Sequence, residues 1–422
     1  MARKLQGTIR QRGETWQVTI STGRGADGRY HRQSYTCATE DEANDKLLEL
    51  NQAKRRGELA TERPGSLAEF LDDWLAGVIR PNRAARTHAT YKMVCDRYLT
   101  ESPLASAKLE RLRPQDVQAY YGELLERGVS ADMVRRVHRA LHAALNQAVA
   151  WGYVPRNAAA GLKLPRHQPR EFRVLTAAET KKLVAALHDA DSKKQQARAS
   201  LWAPVAVAVS TGLRPGELLA LRWSDIDLKA GTLTVRYAVE EIGSVRRLKV
   251  PKTKGSRRTI PLHADTVAVL KEHRRRQNEL RLGLSRRWAW EDNDLVFPDT
   301  TPTSRDDPDG SGSVDFPVGR LRSTKILGRL FVREARALGL ENLRFYDLRH
   351  THITHLLYAG VPVKDVSARV GHASAAMTLG RYAHLLPGSQ ERAVEALDGL
   401  IGERPGTGTG SGTSPQRRRK GR

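Results

Sequence analysis

The segment Thr211-Gly-Leu-Arg-Pro-Gly-Glu217 predicts a helix start in the C-terminal half of the chain. Proline is favoured in the first turn of a helix because it lacks an N–H and its φ is already helical. A helix is therefore predicted to start at Pro215, with Arg214 directly before its first residue. Because the N-terminus of a helix also favours anions, the segment predicts a site for a negatively charged group.

Three segments further along carry reactive side chains, and they read Tyr346-Asp-Leu-Arg-His-Thr351, Val370-Gly-His372 and Arg381-Tyr-Ala-His384. Cleaving a phosphodiester without a metal requires a nucleophile, positive charge on the two non-bridging oxygens and a proton donor for the departing oxygen. Taken singly, the residues have ordinary explanations: a half-buried tyrosine, an ion-paired arginine and a glycine turn that ends a helix. Taken together, they favour phosphodiester chemistry.

The composition indicates a partner of high negative charge density. The 422 residues include 71 Lys and Arg against 47 Asp and Glu, for a formal net charge of +24. Nucleic acid is the commonest partner of this kind, although a basic surface can also serve solubility alone. Cys37 and Cys95 have neither disulfide nor zinc spacing, and no run approaches the ~18 apolar residues of a membrane span. We expect a cytoplasmic protein without membrane contact.

The four segments resemble the active-site boxes of the tyrosine recombinases, the phage-integrase family, in the order Arg, Lys, His-x-x-Arg, His or Trp, Tyr. Each motif is weak alone, but their order over roughly 170 residues makes chance improbable. The resemblance spans almost the whole chain, is strongest over residues 205–386, and is closest to integrases of bacterial mobile elements and temperate phages.

The resemblance implies that Arg214 and Arg349 clamp the scissile phosphate. Arginine suits this role because its planar fork donates two hydrogen bonds and stays charged. Tyr382 would be the nucleophile and would form a 3′-phosphotyrosyl bond. Because that intermediate retains the energy of the broken bond, rejoining needs neither ATP nor a metal, and no cofactor is expected.

The remaining roles also follow from the resemblance. Lys252 matches the general acid that protonates the 5′-hydroxyl leaving group. Lys254 is the competing assignment, because either lysine of the turn can be aligned with the family's position. His372 matches the residue that hydrogen-bonds the phosphate, and Glu217 an acidic residue that orders the site.

One position departs from the family pattern, since Tyr346 stands where His-x-x-Arg usually begins. A phenol with an ordinary pKa near ~10 is a poor base at neutral pH, although it can still hydrogen-bond a phosphate. The departure predicts either reduced activity or a greater dependence on His372.

His350, His352 and His355 suggest a metal site because residues three apart share a helix face. No acidic residue completes a HExxH-type motif, so no metal is expected. These histidines are predicted to pack or to contact DNA near Arg349.

The predicted fold is α+β and mostly helical. It divides into an N-terminal arm-type DNA-binding domain (residues 1–64), a helical core-binding domain (65–165), a mixed α/β catalytic domain (170–402) and a disordered basic tail (403–422). The basic, proline-containing segment 164–170 is the expected linker.

The N-terminal domain is predicted to contain a three-stranded antiparallel sheet, because short alternating runs are separated by turn signals. Residues 1–35 hold seven Arg or Lys and two acidic residues. Arg10, Arg12 and Arg24 are candidates for DNA contact, and Trp16 is expected to pack the sheet against a helix at 39–57.

The helical domain is predicted to begin with a capping box, Ser66-x-x-Glu69, and to continue with helices near 87–99, 114–127 and 130–151. On the last helix, Arg135, Arg139 and His142 share one face, which would track a DNA groove or be an ordinary solvated face. The apolar stripe of the same helix is predicted to comprise Val134, Val137, Leu141, Leu145 and Val149.

The catalytic domain is predicted to start with the capping box Thr176-x-x-Glu179. Strands are expected at 231–239, 246–252 and 257–262, with a turn at 252–256 between the last two. A helix near 264–282 and a flexible loop at 299–315 follow. A helix over 389–401 would dock on a neighbouring protomer or on its own domain.

We therefore expect a site-specific DNA recombinase that acts as a homotetramer on paired double-stranded attachment sites and integrates or excises a mobile element. An excisionase and a host DNA-bending protein are partners that the sequence leaves open. The alternatives are a type IB-like topoisomerase and a DNA-binding regulator with a decayed site. A metal-dependent nuclease would need a carboxylate cluster, and cleavage that is insensitive to EDTA would exclude it.

Overall fold

The computed structural model describes residues 7–24, 30–55, 65–167, 171–189, 196–251, 254–284, 290–301, 303–306 and 313–382, together with residues 394 and 397. The chain divides into two compact units, one of residues 1–171 with 242–245 and the other of residues 172–241 with 246–422. The predicted division into three domains and a tail stays a prediction. The fold is mostly helical with small antiparallel sheets, which confirms the predicted α+β class.

The first unit begins with the predicted three-stranded antiparallel sheet, in the order β1-β2-β3. The tight turn between β1 and β2 uses Gly13 at φ 63°, a conformation that glycine adopts without strain. The inner face packs on α1 through Val18, Ile20 and Leu47, and Trp16 packs against this cluster as expected. The elements are β1 (Thr8–Arg12), β2 (Thr15–Arg24), β3 (Tyr30–Cys37) and α1 (Glu40–Arg55).

A helical region follows and has a core of its own. Ser66 and Glu69 form the predicted capping box, Pro114 occupies the first turn of α5, and Ser130 caps α6. These local signals set where the helices start because they satisfy N–H groups that lack intrahelical partners. The elements are α2 (Leu67–Trp74), a π turn (Leu75–Ile79), α3 (Arg80–Asn82), α4 (Ala85–Tyr98), α5 (Pro114–Glu126) and α6 (Ala131–Ala150).

The apolar stripe predicted on α6 is buried at four of its five positions. Val149 is the exception, with 37% of its surface exposed. The prediction was wrong there because the buried face follows Ala140, Ala144 and Ala148, and Val149 lies about 100° farther around the helix than Ala148.

The second unit is built around α8, which packs against α7, α10, α11 and α12. Its buried face includes Leu201, Val205 and Ala208. Thr176 and Glu179 form the predicted capping box at the start of α7. The helices are α7 (Ala177–His188), α8 (Gln196–Thr211), α9 (Pro215–Leu218), α10 (Ala264–Leu282), α11 (Thr324–Ala337), α12 (Asp347–Tyr358), α13 (Val363–Val370) and α14 (Ala375–Tyr382).

The strands of this unit pair differently from the prediction. The run 231–239, expected as one strand, is divided at Arg236, whose side chain turns to pair with Asp225 at 2.8 Å. The two strands expected on either side of the turn at 252–256 do not pair with each other, since β7 pairs with β6 and β8 with β5. The strands are β4 (Ile226–Asp227), β5 (Thr232–Val235), β6 (Ala238–Ile242), β7 (Val245–Lys249) and β8 (Arg258–Pro261).

The loop predicted at 299–315 contains a short antiparallel pair, β9 (Thr303–Asp306) and β10 (Ser313–Phe316), with Ser313 opposite Asp306. The prediction was wrong because turn-forming residues are also typical of hairpins, in which backbone hydrogen bonds form regardless of a polar composition. The basic tail, 403–422, and nearly all of the helix expected at 389–401 lie outside the described residues.

None of the helices in the described part of the chain has the length and apolar character needed to cross a bilayer.

The buried face of α6 gives a stability prediction. Leu141→Ala removes a fully buried side chain and should lower the free energy of unfolding of the helical region by about 2–5 kcal/mol. Val149→Ala should cost less than about 1 kcal/mol because its side chain is half-exposed. Urea unfolding followed by tryptophan fluorescence measures both, and equal losses would contradict the placement of this helix face.

Candidate active site

Arg349 lies on the first turn of α12 and is almost fully buried. Its Nη1 donates to the carbonyl of Gly212 at 2.7 Å, and its Nη2 donates to the carbonyl of Val370 at 2.8 Å. Within the described part of the chain, its Nε has no hydrogen-bond partner. Burial, followed by the nearby charge of Arg214, lowers the pKa of Arg349 to about 10. The guanidinium is therefore fixed in position, and an anion would stabilise its charge.

Gly212, whose carbonyl accepts from Arg349, lies at a position that only glycine fits. Its φ is 67°, and a Cβ added there would lie 2.5 Å from the ring of His352. Only glycine satisfies both the positive φ and the close approach. The chain can therefore turn sharply between α8 and Arg214.

Arg214 precedes α9 and is held by Glu217. Its Nη1 donates to Glu217 Oε1 at 2.6 Å, and its backbone N–H donates to Oε2 at 3.1 Å. Its Nη2 donates to the carbonyl of Gly371 at 2.8 Å. The helix was predicted to attract anions through its N-terminus, but α9 has only four residues, so the positive charge at this site comes from guanidinium groups.

Arg258 lies beside Arg214 and Glu217 in this site, although the sequence did not lead us to predict it. From β8, its Nη2 donates to Glu217 Oε2 at 3.0 Å and its Nε to the carbonyl of Arg369 at 2.6 Å. One signal could have revealed it. Arg258 shares a strand face with the buried Ile260, so its charge has to be matched inside the fold.

Glu217 is buried between the two arginines. Burial alone, the largest influence, would raise the pKa of this carboxyl, but Arg258 and Arg214 outweigh burial and leave the pKa below its ordinary value. The carboxylate therefore stays ionised, and it joins Arg214 to Arg258.

His372 follows the turn that ends α13, where Gly371 has a φ of 68°. Its Nδ1 lies 2.7 Å from the hydroxyl of Thr378, which also hydrogen-bonds Ser367. Burial and then the charge of Arg349 lower the pKa of His372 to about 4. The imidazole is therefore neutral near pH 7, and its ring remains partly exposed.

Tyr382 is the last residue of α14 and has only 1% of its surface exposed. Its hydroxyl is hydrogen-bonded to Nδ1 of His350. The ring of Phe172 stacks on His350 with a centroid distance of 4.1 Å and lies 5.4 Å from the ring of Tyr382. Burial raises the pKa of Tyr382 above its ordinary value. In this arrangement the phenol is protonated and is shielded from solvent.

Tyr346 lies at the start of α12, with its ring edge-on to His350 at 5.3 Å and 37% of its surface exposed. It is thus beside the buried Tyr382–His350 pair, and it reaches solvent.

The three histidines of α12 serve as hydrogen-bonding groups within the fold. His352 Nδ1 lies 2.8 Å from the carbonyl of Val209, and His355 Nε2 lies 2.8 Å from that of Leu175. Burial lowers the pKa of His350 to about 4 and that of His352 to about 3. Packing was one of the two roles predicted for them.

The two lysine candidates fall in the segment between β7 and β8. Lys252 lies outside the described residues, as does the side chain of Lys254, although the backbone of Lys254 starts a 3₁₀ turn that ends at Ser256.

The residues expected to contact DNA in the first unit lie on three elements, β1, β2 and α6. Arg10 and Arg12 are exposed on β1, and Arg24 ends β2 with its side chain outside the described part. On α6, Arg135 donates to the carbonyl of Pro165 at 3.0 Å, while Arg139 is exposed and His142 is half-buried. A recess of about 380 Å³ is lined by Asp132, Arg135, Arg136, Arg139, Leu164 and His167.

Comparison with known proteins matches this fold and sequence to DNA recombinases. The tyrosine recombinase XerC-like protein of Caldanaerobacter subterraneus is 29% identical over 413 residues, covering 95% of this chain and all of that protein. The Tn1549 transposon integrase, solved with circular intermediate DNA, has the same fold, with a TM-score of 0.60, 19% identity, and coverage of 79% of this chain and 100% of that one. A lambda integrase tetramer solved on a Holliday junction gives a TM-score of 0.51, with 18% identity and coverage of 89% and 96%.

The fold and sequence define a site-specific tyrosine recombinase, an enzyme that cuts and rejoins DNA strands. The family model described as phage integrase matches residues 173–388, just over half of the chain, and the chain belongs to that family.

The depressed histidine pKa values predict a pH dependence of stability. Between about pH 6.5 and pH 4, the unfolded chain takes up protons on His350, His352 and His372, whereas the folded chain leaves them neutral. The free energy of unfolding should therefore fall as the pH is lowered through this window, by up to about 1.4 kcal/mol per pH unit for each histidine.

Thermal unfolding between pH 4 and pH 8 tests this dependence. His352→Asn keeps a donor near the Val209 carbonyl but cannot titrate, so its melting temperature should fall less steeply below pH 6.5 than that of the wild type. Above pH 7 the two curves should be parallel. Equal slopes below pH 6.5 would refute the assignment to His352.

Proposed function

We propose that this recombinase integrates or excises a mobile element, with Tyr382 as the nucleophile that forms a 3′-phosphotyrosyl bond at each attachment site. The observation that carries the proposal is the turn at 370–372. The carbonyls of Val370 and Gly371 hold Arg349 and Arg214, and the next residue is His372. Three groups able to bind one phosphate thus converge on a single turn.

Arg214 and Arg349 would neutralise the two non-bridging oxygens and the charge that develops in the transition state. The Nε of Arg349, which has no partner among the described residues, is a buried donor that would become available to the phosphate only if the site opens on DNA binding. His372, held by Thr378, would add a hydrogen bond to the same phosphate, and Tyr346 another.

In the cleavage step, the phenol oxygen of Tyr382 would form a bond to phosphorus while the bond from phosphorus to the 5′ oxygen breaks. Lys252, or Lys254 in the other registration of the turn, would protonate the departing 5′ oxygen. Rejoining is the reverse reaction with a new 5′-hydroxyl, so neither a metal nor ATP takes part in the bond exchange.

The burial of Tyr382 places a requirement on this step. A phenol with 1% of its surface exposed and a hydrogen bond to His350 cannot reach a phosphate of duplex DNA. The α14 segment would therefore have to move when DNA binds, and the rate of cleavage would include that movement.

We assign the arm-type DNA-binding role to residues 1–64, the core-binding role to 65–165 and catalysis to 170–402. The exposed Arg10 and Arg12, together with Arg24, would contact arm sites. The recess beside Arg135 and Arg139, with His142 on the same helix, would accept backbone phosphates, since arginines on one helix face suit phosphate contact.

The active assembly would be a homotetramer on two attachment sites in the cytoplasm. The helix at 389–401 would join neighbouring protomers, and the basic tail would add non-specific attraction to DNA. An excisionase and a host DNA-bending protein would set the direction of the reaction.

The role of Tyr382 is tested with a nicked suicide substrate that carries the element's attachment site, in EDTA. Wild-type protein should form a denaturation-resistant adduct at the 3′ end of the DNA, because the nick lets the cleaved fragment escape. Tyr382→Phe should form none. Tyr358→Phe, which removes the hydroxyl of an exposed tyrosine on the same unit, should behave as wild type. Tight, specific binding by the wild type without any adduct would favour a DNA-binding regulator instead.

Tyr346 gives a separate prediction. Tyr346→Phe should slow single-turnover cleavage by about 10- to 100-fold, because one hydrogen bond to a charged phosphate is lost. Tyr346→His should cleave at least as fast as the wild type. If Tyr346→Phe cleaves at the wild-type rate, this hydroxyl has no part in the reaction.

A further inference from the structure

Arg258 contacts three separate segments of the second unit. Its Nη2 donates to Glu217 beside α9, its Nε to the carbonyl of Arg369 at the end of α13, and its Nη1 to the carbonyl of Ser256 at 3.1 Å. Its side chain is 8% exposed. Because each of its three nitrogens already donates to the protein and its side chain is almost fully buried, this guanidinium is poorly placed to bind a phosphate.

One acceptor of Arg258, Glu217, also holds Arg214, and another, the carbonyl of Arg369, is next in the chain to the carbonyls that hold Arg349 and Arg214. Glu217 Oε1 accepts from Arg214, and Oε2 accepts from Arg258. The carbonyl of Arg369 is followed in the chain by those of Val370 and Gly371. Three consecutive carbonyls therefore accept from three different arginines, as Arg258 binds residue 369, Arg349 residue 370 and Arg214 residue 371.

The contact between Arg258 and this turn is tight. A Cβ added to Gly371 would lie 2.7 Å from Nη1 of Arg258 and 3.1 Å from its Cζ. A lysine could not replace the guanidinium, since a single ammonium group on a flexible stem does not present donors in three fixed in-plane directions. The geometry therefore requires arginine.

We propose that Arg258 is a positioning residue for strand cleavage, which holds Glu217 and the 369–371 turn so that Arg214 and His372 meet the scissile phosphate. The inference rests on the proposed function and extends it to a residue that touches neither DNA nor the nucleophile. Without Arg258, Glu217 keeps only Arg214 as a charged partner, and the turn that carries His372 loses one of its three arginine contacts.

The test compares two suicide substrates, one with the natural scissile phosphodiester and one with a methylphosphonate at that position. The methylphosphonate has lost one charged oxygen, so its cleavage depends less on correctly placed guanidinium groups. Arg258→Met should slow single-turnover cleavage of the phosphodiester by about 100-fold, as expected for a displaced clamp. The dissociation constant for the attachment site should stay within about threefold of the wild-type value, since Arg258 does not bind DNA.

On the methylphosphonate, the ratio of wild-type to Arg258→Met rates should shrink at least about tenfold, because misplacement of Arg214 matters less there. Arg258→Lys should retain the charge but not the geometry, so its rate should lie closer to that of Arg258→Met than to that of the wild type. Thermal melting should show both variants folded at the assay temperature.

Arg236→Met is the matched control. Arg236 also pairs with a buried carboxylate of the same unit, Asp225, at 2.8 Å, but it has no contact with Glu217 or the 369–371 turn. It should cleave both substrates at wild-type rates.

Two results would overturn the inference. One is an Arg258→Met rate within threefold of wild type on the phosphodiester. The other is an equal defect on both substrates, which would mean that Arg258 contributes only to folding. Failure of the proposed function is distinct, since wild-type protein itself would then form no adduct through Tyr382.

Discussion

The end of helix α13 is the constraint on which the site depends. The last carbonyls of a helix have no intrahelical partners, and the negative end of the helix dipole lies there. In this protein the carbonyls of residues 369, 370 and 371 each accept from a different arginine. These carbonyls need hydrogen-bond donors, and the three arginines that supply them are therefore fixed in place although they lie far apart in the sequence.

This arrangement concentrates positive charge inside the second unit. Arg214 and Arg258 share Glu217, whereas both acceptors of Arg349 are backbone carbonyls. Carbonyl dipoles orient a guanidinium without cancelling its charge. The site therefore retains a net positive potential that suits a phosphate, at the expense of stability in the free protein.

Tyr382, the proposed nucleophile, is buried in an aromatic group. Phe172, His350 and Tyr382 form a packed aromatic group. The neutral imidazole of His350 is hydrogen-bonded to the hydroxyl of Tyr382. Phe172 stands at the start of the second unit, directly after residue 171, where the first unit ends. This part of the chain therefore takes part directly in the packing around Tyr382.

The sequence by itself determined the local structure and the candidate chemistry. The caps at Ser66 and Thr176, the helical periodicity and the order of the boxes ending at Tyr382 were all predictable, because each depends on residues close in the chain. The tertiary structure alone decided the pairing of β8 with β5, the buried position of Arg258 and the contact of Tyr382 with His350. Those features join segments that are tens to more than a hundred residues apart in the chain. A sequence pattern does not record which distant segments lie close together in space.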